Sequence, residues 1–195
     1  MIRAHTARAM ATREPPAVPV LTRFFDRLVR RSFGDLWVGS EAIVAYLAAL
    51  LTRFARTDQL YPLRSAAGER LESVVELLLE AERAWAFEAA DFDPFRERRV
   101  RQHIGDYTLF MTGIFPEHVE RRASTGFYMR EGKRAYGAVA EFERSALHAE
   151  ARLFAALASE FEQYAGALTY MKRVYLRPAE APAALQPCLR LLTEW

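Results

Sequence analysis

The sequence has a single cysteine, Cys188, so no intrachain disulfide can form. That usage points to a reducing compartment, and a cytoplasmic location is expected. No stretch approaches the ~18 consecutive apolar residues of a membrane-spanning helix. Lysine is almost missing: Lys133 and Lys172 are the two, and arginine supplies the other positive charge. A planar guanidinium suits recognition of carboxylate or phosphate, but a GC-rich coding origin accounts for the same bias more simply. Neither sign of charge dominates, with 27 Lys+Arg against 25 Asp+Glu and a net +2. That balance excludes a dedicated nucleic-acid binder, which carries a one-sided basic excess. Also missing are a strand-like alternation of apolar and polar residues, an internal repeat, and the Gly-x-Ser-x-Gly, phosphate-loop, Cys-x-x-Cys and His-Glu-x-x-His signatures.

What is present is apolar periodicity. Of the 195 residues, 51% are hydrophobic, enough for one sizeable core. Leu21, Phe24, Phe25, Leu28 and Val29 form one helical stripe, with Gly34 as its expected stop. Ser40 is placed to cap a second helix whose inner face is Ile43, Leu47, Leu50, Leu51 and Phe54. A third is predicted from Glu69 to Phe87, with Leu71, Val74, Val75, Leu78 and Trp85 inward and the row Glu72, Glu76, Glu80 in solvent. Asp91, Asp93 and Pro94 announce a fourth helix that stops before Pro116. A short helical turn follows, and then a fifth long helix capped by Ser124 or Thr125. The last runs from about Ala149 to Tyr175, with Phe154, Leu157, Phe161, Tyr164, Leu168 and Met171 at alternating three and four spacing. The expected architecture is all-α: a helical bundle of about five long helices plus short ones, a single domain over residues 17–177. Residues 1–16 read as a disordered tail, with a targeting leader or a start at Met10 as alternatives. The Pro/Ala-rich segment 178–195 is expected to be extended and to dock back near its end.

Residues 100–142 break the simple rules. His103 falls on the apolar stripe Val100, Ile104, Tyr107, Phe110, Met111, Ile114, and Asp106 and Tyr107 follow it at neighbouring helical positions. Gly105, Gly113, Gly132 and Gly137 sit inside two consecutive long helices, where each costs about 1 kcal/mol against alanine. Close approach of the two helices is the simplest reason, and a ligand lying against the backbone is the alternative. The run Gly105-Asp106-Tyr107-Thr108-Leu109-Phe110-Met111-Thr112-Gly113-Ile114-Phe115-Pro116, with Phe127-Tyr128 and Gly132-Lys133-Arg134-Ala135-Tyr136 after it, resembles a recurring pattern in a group of bacterial helical proteins without an established activity. The resemblance covers residues 95–140. It implies a bacterial source and a structural signature, and it transfers no catalytic role.

The candidate ligand-binding residues are therefore His103, Asp106, Tyr107, Glu131 and Tyr136. Three chemistries are open to them. A metal site needs several convergent ligands, and Glu-x-x-His is missing: Glu117 and His118 are adjacent, while Glu143 and His148 are five apart. A haem would need His103 as an axial ligand in an apolar pocket. Acid–base catalysis would have Asp106 orient His103 while Tyr107 donates to a substrate. Against all three stands a buried polar network that fixes helix register. The basic cluster Arg96, Arg98, Arg99, Arg101 reads as a solvated charged face. The expectation is a non-enzymatic structural or protein-interaction bundle, a homodimer with a possible further protein partner, with no catalytic residue, no metal, no cofactor, no nucleic acid and no membrane span.

Overall fold

The computed structural model describes residues 18–56, 62–65, 68–71, 73–85, 93–122 and 124–193. The expectations for the N-terminal tail, for Asp91 and for the last two residues lie outside them. Among the described residues the chain is all-α: α1 (Val18–Leu36), α2 (Glu41–Phe54), α3 (Val74–Trp85), α4 (Pro94–Ile114), α5 (Pro116–Arg122), α6 (Thr125–Ser145), α7 (Ala151–Ser159), α8 (Phe161–Tyr175), a 3₁₀ turn (Pro178–Glu180) and α9 (Gln186–Thr193). No helix among them is long and apolar enough to cross a membrane.

Local chemistry sets most of the boundaries. The Ser40 hydroxyl accepts from the Ile43 N–H and starts α2; Asp93 does the same for the Arg96 N–H of α4, with Pro94 in the first turn; Ser124 serves α6. Three boundaries differ from those expected. α1 continues through Gly34 to Leu36, because its terminal turn is built around Trp37 instead. α3 starts at Val74, not Glu69, because Ser73 and Glu76 form a capping box: the Glu76 N–H donates to the Ser73 hydroxyl at 3.2 Å and the Ser73 N–H to the Glu76 carboxylate at 3.1 Å. The residues before it form a bridged turn, with Arg64 opposite Arg70. The last long helix is two helices, α7 and α8, interrupted at Glu160. Its apolar stripe is continuous across the interruption, since Phe154, Leu157, Phe161, Tyr164, Leu168 and Met171 are all buried.

α4 is the centre of the bundle. It packs against α6, α3 and α8, and touches α2; α1 lies on α2 and α8, and α7 lies on α6. From His103 to Phe115 every residue of the chain is buried, so α4 here is enclosed on all sides, not on one stripe. Its C-terminal carbonyls are satisfied from α8: Lys172 Nζ donates to Ile114 O at 2.6 Å and Thr169 to Gly113 O at 2.9 Å. The C-terminal segment buries Leu185, Leu189 and Leu192, with the Cys188 thiol donating to Ala55 O.

The phase of α3 differs from the expectation. Val74, Leu77, Ala81 and Ala84 are buried, while Val75 is exposed. Glu80, expected in solvent, is buried, and Arg96 of α4 covers it with a guanidinium hydrogen bond of 2.8 Å from Nε.

Candidate functional site

Two of the candidate residues meet directly. The Tyr136 hydroxyl, on α6, donates to Asp106 Oδ1 on α4 at 2.8 Å. Two further partners come from α2, and sequence reasoning missed both: the Tyr46 hydroxyl donates to the same Oδ1 at 2.6 Å, and Arg53 pairs with Oδ2 at 2.7 Å. Gln102 completes the cluster by donating to the Tyr46 hydroxyl oxygen at 3.1 Å. Asp106 is 3% exposed, so one buried carboxylate ties three helices together.

The electrostatics follow from that burial. Desolvation lifts the Asp106 carboxyl above the ordinary carboxylate range, and the Arg53 charge and the two tyrosine hydroxyls pull against the lift. Burial and the Asp106 charge push both tyrosines well above their usual range, so they remain donors. Every described contact to Asp106 is a donor, the arrangement that suits an acceptor-only anion. Both its oxygens are engaged, which fits a device that fixes helices.

The remaining candidates lie elsewhere. The His103 ring packs edge-on to Phe54, with centroids 5.8 Å apart, and beside Tyr107 at 6.3 Å. The Asp106 carboxylate turns toward two hydroxyls and a guanidinium from α2 and α6. Tyr107 also neighbours Tyr128 of α6, at 6.4 Å. Glu131 pairs with Arg130 at 3.1 Å and Arg134 at 3.5 Å of its own helix and lines a cleft between α3, α4 and α6. His103 is not among the residues lining that cleft. Among the described residues no three His, Cys, Asp or Glu side chains gather as a metal site requires.

The glycines resolve into two kinds. A Cβ on Gly105 would stand 2.6 Å from the Tyr136 ring, which lies flat on the α4 backbone on its way to Asp106. One on Gly113 would stand 2.8 Å from Leu168, and one on Gly132 would stand 2.4 Å from Thr108 Oγ1. Gly105 against Tyr136 and Thr108 against Gly132 show α4 and α6 running antiparallel in close contact. Side chains of the protein, not open space, occupy these three seats. Gly137 has nothing within 4 Å of an added Cβ, and the packing gives no reason for it.

The basic cluster at the start of α4 is paired, not free. Arg98 reaches Glu143 of α6 at 2.7 Å through Nε, Arg101 reaches Glu97 at 2.5 Å, and Arg96 holds Glu80 as described above. Glu143 is 2% exposed and also bonds His148 Nδ1 at 2.6 Å. Five residues apart on one helix these two would diverge; they meet because the chain turns at Leu147 and folds His148 back. Burial alone would raise the Glu143 carboxyl, but the His148 and Arg98 hydrogen bonds outweigh it and hold the group below its ordinary value of 4.5. A lowered carboxyl contributes stability that is present above its unfolded value and lost as pH falls through the folded one. Asp106, being raised, has the opposite sign: its contribution is full below the unfolded value and declines as pH rises through the folded one. Glu143→Gln is therefore expected to flatten the loss of stability on acidification below 4.5, as read from urea midpoints across pH. An unchanged acid limb would show that the triad does not couple to folding.

No known family model matches the chain, nor does any curated protein or solved structure, so the functional reading rests on its own residues.

Proposed function

We propose that this bundle is a non-enzymatic interaction protein that self-associates through apolar side chains displayed at helix-terminal turns. Trp37 carries the reading. Its side chain is 95% exposed, and its backbone is left-handed, at φ +55. The turn is a Schellman motif: the Trp37 N–H donates to Gly34 O at 3.2 Å and the Val38 N–H to Phe33 O at 3.0 Å. Glycine usually occupies that position, because a side chain there costs roughly 1–2 kcal/mol. A tryptophan that accepts this cost and then points into water is accounted for by a surface that buries it; Trp is among the side chains that dominate binding energy at interfaces. A second such turn, at the end of α6, repeats the device with Leu147, 92% exposed at φ +59.

Trp37→Gly is expected to raise the unfolding free energy of the protomer by about 1 kcal/mol. Light scattering over a concentration series should show a wild-type dimer and a monomeric variant. A wild-type chain that stays monomeric at high micromolar concentration contradicts the proposal, as does a variant that dimerises as well as wild type. The near balance of charge, 27 basic against 25 acidic residues, sets up little repulsion between copies. The reading includes a cytoplasmic location, which suits the single thiol. It also takes the chain to belong with the bacterial helical group that residues 105–116 resemble.

A further inference from the structure

A cleft of about 260 Å³ opens between α3, α4 and α6. Its apolar lining is Leu78, Phe127 and Ala135, and its polar lining is Glu82, Arg101, Glu131 and Arg134. Ala135 is buried at its base, and Leu78 and Phe127 are half-buried. The volume is below the roughly 300–1,000 Å³ of drug-sized ligand pockets, and it suits a molecule the size of a single amino acid.

The two signs of charge are arranged unequally. Glu131 is neutralised within α6 by Arg130 and Arg134. Arg101, a quarter exposed, bonds Glu97 through Nε, and among the described residues its two terminal nitrogens donate to nothing. They form the edge of a planar fork, the geometry that grips a carboxylate in two parallel hydrogen bonds. Glu82, from α3, forms no hydrogen bond or ion pair among the described residues and no bridge to Arg101. The cleft therefore offers the two terminal nitrogens of Arg101, whose Nε holds Glu97, and the Glu82 carboxylate, beside the apolar side chains of Leu78, Phe127 and Ala135.

We infer that this cleft binds a small zwitterion with an apolar side chain, the chemistry of an apolar α-amino acid. The ligand carboxylate lies on the Arg101 fork, its ammonium faces Glu82, and its side chain rests on Leu78, Phe127 and Ala135. Glu131 also lines the site and pairs with Arg134 at 3.5 Å. This inference is independent of the reading of Trp37.

Calorimetric titration of the full chain with three probes tests it: L-leucine, isocaproate, which lacks the ammonium, and isoamylamine, which lacks the carboxylate. Leucine should bind saturably, and each truncated probe should bind about tenfold more weakly, the worth of one charged hydrogen-bonded contact. Glu82→Gln should remove the advantage of leucine over isocaproate, and it does so without disturbing a described contact. Arg101→Lys keeps a positive charge beside Glu97 but removes the fork; it should weaken both carboxylate-bearing probes and leave isoamylamine unchanged. No saturable binding of any probe at millimolar concentration would overturn the inference. So would leucine binding that is the same in wild type and both variants.

Discussion

Asp106→Ala is expected to destabilise the fold by about 3 kcal/mol, the largest single effect of a polar substitution in this chain. The cost lies in what is left behind. The Tyr136 hydroxyl is fully enclosed and would lose the acceptor it reaches at 2.8 Å. Tyr46 would lose its 2.6 Å acceptor and keep only its contact with Gln102. Arg53 is less affected, because its side chain is 43% exposed and can turn to water. Two stranded buried hydroxyls at about 1–3 kcal/mol each, with partial rescue, lead to that figure. Tyr136→Phe removes one donor and leaves the carboxylate with Tyr46 and Arg53, so its loss should be nearer 1 kcal/mol. Urea unfolding followed by circular dichroism reads both. A loss for Asp106→Ala no larger than for Tyr136→Phe would mean that the cluster is not cooperative.

Gly132→Ala is expected to cost a similar amount, about 3 kcal/mol, by overpacking. Its Cβ would stand 2.4 Å from Thr108 Oγ1 and 2.5 Å from the Phe161 ring. Neither neighbour can yield. Thr108 Oγ1 is held by Ile104 O at 2.7 Å and Gly105 O at 3.1 Å, and Phe161 is fully buried. The same substitution at Gly137 meets nothing within 4 Å, so it should stabilise α6 by up to about 1 kcal/mol through helix propensity alone. The two alanine variants, five residues apart on one helix, should shift the melting temperature in opposite directions. Equal shifts would show that Gly132 is not seated against α4 and α8.

Most of the helices were legible because their stripes have one phase. Leu21, Phe25 and Val29 repeat every four residues and are buried, and so are Phe154, Leu157, Phe161, Tyr164, Leu168 and Met171 at alternating three and four spacing. The caps at Ser40, Asp93 and Ser124 were legible because each hydroxyl or carboxylate serves an N–H only three residues away. α3 was misread in phase because Val74, Val75, Leu77, Leu78 and Leu79 spread over more than one face, and only the neighbour decides which is covered. The burial of Glu80 depends on Arg96, on the next helix.

The candidate site was half legible for the same reason. The oddity of residues 100–142 shows in the sequence, and Asp106 and Tyr136 were singled out. Their other partners, Tyr46 and Arg53, lie 60 and 53 residues before Asp106, and nothing local marks them. A buried carboxylate goes to the donors that compensate its desolvation best, and those donors come from α2 and α6. Trp37 was illegible as a helix terminus because the usual signal there is glycine, and Gly34, three residues earlier, drew the boundary instead.

The central claim is that the rule-breaking residues of α4 and α6 form a packing lock around Asp106, not one converging chemical site. A pair of double-mutant cycles tests it most directly. Asp106→Ala with Tyr136→Phe should show a coupling of about 1–2 kcal/mol, because the two share one hydrogen bond. Asp106→Ala with Glu131→Gln should be additive within about 0.5 kcal/mol, because Glu131 belongs to the α3–α4–α6 cleft and shares no partner with Asp106. A coupling near zero in the first cycle, or one as large in the second as in the first, would contradict the account.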